Sequence, residues 1–190
     1  MQCTWPQNDA QLLDYHDREW GTPAHDDKQH FEFLVLDCFQ AGLSWKTILH
    51  RRTHFKKAFA NFDVKKVAKF NEAKVEELMQ NEGIIRNKLK ITGTIKNAKA
   101  FVAIQKEFGS FDHYIWQFTN YKTLVSNVKD PSEIRATSPE SDAMSIALKK
   151  RGFTFVGSTI CYAYMQAAGM INDHLTSCTR FKECAKLSKL

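Results

Sequence analysis

The sequence predicts an all-α protein folded as a single domain over residues 1–190. Three observations carry that expectation. Apolar residues recur at three- and four-residue spacing behind good cap residues, as one face of a helix requires. No sustained alternation of period two appears, so nothing reads as a half-buried strand. Only 8 Gly and 4 Pro are spread over 190 residues, too few for the many tight turns of a β-rich chain.

The elements follow in order. Residues 10–19 form a short helix closed by Gly21 and Pro23. Asp26 caps a longer one, in which Phe31, Leu34, Val35 and Cys38 recur at helical spacing until Gly42 interrupts. Ser44 caps a helix expected to run through Phe59, and Asp63 and Asn71 cap short helices over 64–70 and 72–80. A connection from Asn81 to Asn87 leads into a helix of about twenty residues that stops near Gly109. Residues 118–137, with Asn120, Asn127, Asp130, Pro131 and Ser132, read as loop. Ser138-Pro139-Glu140 is a strong helix start, because proline in the first turn has no N–H to leave unsatisfied. That helix runs to Lys150, with Arg151 in its last turn and Gly152 as terminator, and an uncharged helix over 157–168 ends at Gly169.

Composition narrows the function classes. Apolar residues at 43% and charged residues at 25% are ordinary globular usage and exclude a disordered tail protein. Lys+Arg 27 against Asp+Glu 21 gives +6, which suits a polyanion without proving one, since many metabolic enzymes are equally basic. The start of the chain shows neither a basic n-region nor an apolar h-region, so no signal peptide is expected. Gly152 to Asn172 carries no charge, yet it contains Gly157, Ser158, Thr159, Gln166 and Gly169 and reads as a buried core helix rather than a membrane span. Five scattered cysteines (Cys3, Cys38, Cys161, Cys178 and Cys184) give no disulfide framework and point to a reducing, cytoplasmic setting.

Three constellations could carry chemistry. Cys3 and His16 lie near one terminus, and His174 and Cys178, spaced i and i+4, near the other. Two thiolates and two imidazoles match the tetrahedral N/S preference of Zn²⁺, in a structural site with no position left for water. The spacing is not that of a zinc finger, and unrelated core cysteines are the plain alternative. Second, Gly83-Ile84-Ile85-Arg86, followed by Lys88 and Lys90, joins two helices. Glycine permits a positive φ, outward backbone N–H groups and a helix N-terminus suit a phosphate, and the two isoleucines can anchor the turn. The same residues also describe an ordinary helix–helix turn. Third, Trp5, Tyr15, Trp20 and Trp45 accompany Asp37, a carboxylate set among Phe33, Leu34, Val35, Leu36, Cys38 and Phe39. Aromatic faces around one acid suit a flat, cationic heterocycle, and a carboxylate on so apolar a segment needs a partner or a purpose. Among motifs that would indicate other chemistries, no Walker-type phosphate loop, dinucleotide fingerprint or Gly-x-Ser-x-Gly elbow is present.

The chain resembles the DNA-3-methyladenine glycosylase I family of base-excision repair enzymes. The resemblance runs from Cys3 to Cys178 and rests on several ordered blocks. These are Tyr15-His16-Asp17 with Glu19-Trp20-Gly21, Gln40-Ala41-Gly42-Leu43-Ser44-Trp45, and Gly83-Ile84-Ile85-Arg86. They continue with Ser141-Asp142-Ala143, Leu148-Lys149-Lys150-Arg151-Gly152-Phe153, Phe155-Val156-Gly157 with Thr159-Ile160-Cys161-Tyr162, and Asn172-Asp173-His174.

The resemblance implies a helix-hairpin-helix glycosylase whose termini are clasped by a structural zinc ion on Cys3, His16, His174 and Cys178. It implies backbone contacts to double-stranded DNA by Gly83, Ile84, Ile85, Arg86 and Lys90, and entry of Gly42-Leu43 at the lesion. It implies a flipped, alkylated purine held by Trp5, Tyr15 and Trp45 and read by an acid at position 37. The expected reaction is monofunctional hydrolysis of the N-glycosidic bond of 3-methyladenine by a monomer. One departure is visible: the family's glutamate is Asp37 here, followed by Cys38 and Phe39, and Leu12 stands where an aromatic is common. A reshaped pocket is therefore expected, with a lesion-sensing DNA-binding protein of weak or no catalysis, or a glycosylase for another damaged purine, as the alternatives.

Overall fold

The structure, a computed structural model, describes residues 3–6 and 8–187. Helices dominate them: α1 (Ala10–Arg18), α2 (Asp27–Gln40), α3 (Trp45–Leu49), α4 (Arg52–Ala58), α5 (Val64–Val67), α6 (Glu72–Met79), α7 (Lys88–Phe108), α8 (Phe111–Trp116), α9 (Pro139–Lys150), α10 (Ser158–Ala167) and α11 (Thr179–Leu187). The expected caps perform that role. Side chains of Asp26, Ser44, Asp63 and Asn71 accept from the backbone N–H three residues on, satisfying donors that a helix start leaves orphaned. Ser138 and Ser141 cap each other reciprocally at the head of α9.

Three features differ from expectation. The helix begun at Ser44 stops at Leu49 and restarts at Arg52. The Leu49 carbonyl, which a continuous helix would give to Thr53, takes Gln11 Nε2 at 3.2 Å instead. Helices α8 and α11 were not anticipated; Ser110 caps the first directly after the glycine that ends α7. The chain also contains a short parallel pair, β1 (Leu124–Val125) against β2 (Ile171–Asn172), with Leu124 opposite Ile171. Two-residue strands cannot display an alternating pattern, so they leave no sequence signal.

Helix α2 is the centre of the core and packs against α3, α4, α7, α8 and α10. Every residue from Phe33 to Phe39 is buried, so this helix has no solvent-facing side to which Asp37 could turn. A second, smaller cluster gathers Cys3, Leu12, Tyr15, Trp20, Leu49, Leu175 and Cys178 where the two ends of the chain meet. Trp45 packs against both clusters, and the candidate site lies at their junction. Among the described residues no helix is long and apolar enough to cross a membrane, and the five cysteines are buried and free.

Candidate functional site

The chain ends converge on a buried donor set. One ligand atom from each of Cys3, His16, His174 and Cys178 lies within 4.8 Å of the others. Cys3 Sγ is 3.7 Å from His174 Nδ1, and Cys178 Sγ is 3.7 Å from His16 Nε2 and 3.9 Å from His174 Nδ1. Neighbouring S and N ligands on a tetrahedral ion with bonds of about 2.3 and 2.0–2.1 Å stand ~3.6 Å apart, so the donor set fits such an ion. The ring orientations are fixed from behind. His174 Nε2 lies 2.9 Å from the Trp20 carbonyl, and His16 Nδ1 lies 2.7 Å from Asp17 Oδ1, which leaves the opposite nitrogen of each ring facing the cluster.

The cluster supports the walls of a cavity. Trp5 meets the His16 ring edge-on at 5.6 Å, and Trp20 meets His174 at 4.6 Å. These two tryptophans, together with Tyr15, Asp37, Gln40, Trp45, Ile134, Ala163 and Gln166, line a space of about 230 Å³. That is below the roughly 300–1,000 Å³ of drug-sized sites and suits one small flat ring. Tyr15 and Trp45 tilt toward each other with centroids 5.1 Å apart. Trp20, part of the aromatic set read from sequence, therefore belongs to the wall. Gln40, Ile134, Ala163 and Gln166 were missed. Helical spacing signals one of them, since Gln40 follows Asp37 by three residues on α2; Ala163 and Gln166 share a face of α10, a helix that carries no site residue read from the sequence.

Asp37 is the unusual member. Its side chain is 2% exposed, and Oδ2 is buried without a hydrogen-bond partner among the described residues. Burial pushes its carboxyl well above the ordinary carboxylate range, with no donor or cation to offset it. The indole N–H groups of Trp5 and Trp45 are buried and unpartnered as well. Burial, and then the Asp37 charge, raise Tyr15 far above a free phenol, so it remains neutral. An aromatic cage with one unanswered acid is built to receive something that brings positive charge and N–H donors.

The departures beside Asp37 do not reshape this cage. Phe39 points the other way and packs on Phe55 and Phe59, with centroids at 4.8 and 5.7 Å. Cys38 faces Asn97 and the Thr154 carbonyl, and Leu12 packs in the terminal cluster. The expected bulk near the pocket is thus absent, because successive helix positions project about 100° apart. The shorter acid remains, with Leu12 in the cluster that backs Tyr15 and Trp45.

Two expectations about the hairpin are corrected. Lys90 is not presented to a phosphate: it is 7% exposed, and its Nζ donates to the Phe39 and Ala41 carbonyls at 2.8 and 2.6 Å. A lysine in the first turn of α7 reaches across to close the C-terminal end of α2, where the carbonyls lack helical partners. Gly83 is not in the left-handed region. Its backbone donates to Asn81 Oδ1 at 2.9 Å, and the Ile84 N–H turns back to the Asn81 carbonyl. Glycine is needed there for space, since a Cβ would stand 2.6 Å from His54 Nδ1. Ile84 anchors the turn in the core and Ile85 packs against it, which leaves the Ile85 and Arg86 N–H groups without an acceptor in this turn. Gly42, by contrast, has φ +78° in open space, and Leu43 beside it is 40% exposed between the cavity-lining Gln40 and Trp45.

Fold and cavity together define a helical protein with a small aromatic-walled cavity closed by a single acid. Residues 5–181 match the family model for methyladenine glycosylase. A DNA-3-methyladenine glycosylase of Haemophilus influenzae is 44% identical over 176 residues, covering 93% of this chain and 95% of that protein. The crystal structure of a 3-methyladenine DNA glycosylase I superposes with a TM-score of 0.92 at 42% identity, covering 94% of this chain and 98% of the other. A variant of 3-methyladenine DNA glycosylase I in complex with 3-methyladenine superposes with a TM-score of 0.91 at 30% identity, over 94% of this chain and 96% of that one. The chain belongs to the methyladenine glycosylase family.

Proposed function

We propose that this protein hydrolyses the N-glycosidic bond of 3-methyladenine in DNA after drawing the damaged base out of the helix into the cage of Trp5, Tyr15, Trp20 and Trp45. The observation that carries the reading is the buried, unpartnered Asp37 oxygen inside that cage. Alkylation at N3 makes the adenine cationic and its bond to the sugar weak, so selection rather than acid catalysis is the main task. A cationic base satisfies Asp37 and holds it ionised; a healthy, neutral adenine gives it far less. A damaged base also costs less to unstack than a well-paired one. Cleavage of the bond between C1′ and N9 leaves the electron pair on the base, which departs neutral, while water adds at C1′ and loses a proton. With its charge gone the product no longer holds Asp37 ionised, which favours release. No lysine is placed as a Schiff-base nucleophile, so the reading is monofunctional, without strand cleavage.

The DNA is held, in this reading, by the N–H groups of the Ile85-Arg86 turn and the start of α7, a helix-hairpin-helix arrangement that grips phosphate without reading sequence. Leu43, carried on Gly42 at the cavity rim, enters the duplex as the base leaves it. Cys3, His16, His174 and Cys178 would hold a zinc ion, which would supply folding energy and no reactive water, since all four positions are filled by protein. Here it would fix the histidines against which Trp5 and Trp20 pack.

A base-release assay on methylated duplex DNA tests the reading. Chromatography should show free 3-methyladenine above background, and salt-dependent binding without release would establish a lesion-sensing protein instead.

A further inference from the structure

Gln166 reaches the cavity from α10, and one end of its amide is already committed. Its Nε2 donates to Asp173 Oδ2 at 2.7 Å, and the Tyr162 hydroxyl donates to the same oxygen at 2.8 Å. Asp173 is 1% exposed. The amide cannot turn round without setting its carbonyl oxygen against that carboxylate oxygen, an acceptor against an acceptor. Oε1 is therefore the end left for the cavity. It meets no donor among the described residues and is not sealed in the core.

The other polar groups of the cage are adaptable. Gln40 has no side-chain hydrogen bond among the described residues, so it can present either end of its amide. Asp37 accepts when ionised and donates when protonated. Gln166 Oε1 accepts in every state.

We propose that Gln166, oriented by Asp173, is a specificity-determining acceptor that admits purines bearing an exocyclic amino group and rejects those bearing an oxo group in its place. The inference rests on the purine-binding reading above and adds the substrate class to it. An amino N–H pairs with Oε1. An oxo oxygen at the same place sets lone pair against lone pair and strips Oε1 of its water with nothing in exchange. The cage and Asp37 then select for positive charge, while Gln166 selects adenine-type over guanine-type edges. Asp173, which touches no substrate, is the positioning residue.

The test titrates the full-length protein with free 3-methyladenine and with 3-methylhypoxanthine, its oxo counterpart, following tryptophan fluorescence. Wild-type protein should favour the amino base by about 100-fold or more. Gln166→Met should bind 3-methyladenine about 3–10-fold less tightly and narrow the preference, and Asp173→Asn should narrow it too, because the amide is then free to turn. A purely structural role for either residue would weaken both ligands alike and leave the ratio unmoved. Equal binding of the two bases by wild-type protein, or an unchanged ratio in Gln166→Met, overturns the inference alone. Wild-type protein that binds neither base and also frees no 3-methyladenine from methylated duplex DNA overturns the purine-binding reading beneath it.

Discussion

Replacing Asp37 with asparagine should make the protein more stable and less able to hold its substrate. The buried Oδ2 has no partner among the described residues, and burial alone raises the carboxyl above its ordinary range. The folded state therefore binds a proton that the unfolded state has released, and stability falls as pH rises from the unfolded carboxyl value toward the folded one. Asparagine has the same shape and cannot ionise. At pH 8 the variant should gain about 1–3 kcal/mol, because wild type alone must bury an unpaired charge or take up a proton that the unfolded chain has released, or roughly 2–10 °C in Tm for a chain of this size. The gain should shrink toward pH 4, where the unfolded chain holds that proton as well and the difference between the two states closes. Binding moves the other way. A hydrogen bond to a charged group contributes about 1.5–3 kcal/mol, so 3-methyladenine release at subsaturating DNA should drop ~10–150-fold. Thermal melts over pH 4–8 and a base-release time course measure the two effects. An asparagine variant no more stable than wild type at pH 8 would show that the acid already has a partner in the empty protein, and the reasoning would fail.

Other consequences follow from the same geometry. Elemental analysis should find about one zinc per chain, and a strong chelator should lower Tm and 3-methyladenine binding together, because Trp5 and Trp20 rest on His16 and His174. A metal-free protein of full stability would remove the zinc proposal. Lys90→Met should cost about 2–4 kcal/mol of stability by opening the end of α2, while the salt dependence of DNA binding, measured on the folded protein, stays as it was. Arg86→Ala, which keeps the hairpin N–H groups and removes the exposed cation beside them, should do the reverse, reducing the slope of log K against log salt by about 1 with little effect on Tm. Asp37→Glu, assayed beside wild type, reports on the shorter acid: faster release would mean a preference shifted by the shortening, and slower release a cage built around aspartate.

Much of this fold was legible because local chemistry dictated it. Asp26, Ser44, Asp63, Asn71 and Ser138 each close the helix start their side chains suit. The metal-type donors and the aromatic set were readable as residue types, but their meeting depends on residues 171 apart, such as Cys3 and His174. Spacing carries no such information, and the family resemblance supplied it. Position 90 was misread because a lysine next to a hairpin looks like a phosphate contact, and only packing reveals that the α2 carbonyls claim it. Gly83 looked like a conformational glycine and is a steric one, a distinction set by His54 from another helix. Gln166 stood in an uncharged helix read as core, and nothing local marks it as the residue whose amide Asp173 orients toward the cavity.

The most direct trial of the account is the spectrum of bases freed from methylated duplex DNA by wild-type protein and by Asp37→Asn in parallel. Wild type should liberate 3-methyladenine and leave unmodified adenine in place, and the variant should lose most of that release while remaining folded. Undiminished release by the variant, or release of undamaged adenine at a comparable rate, would contradict the claim that one buried negative charge tells the lesion from the normal base.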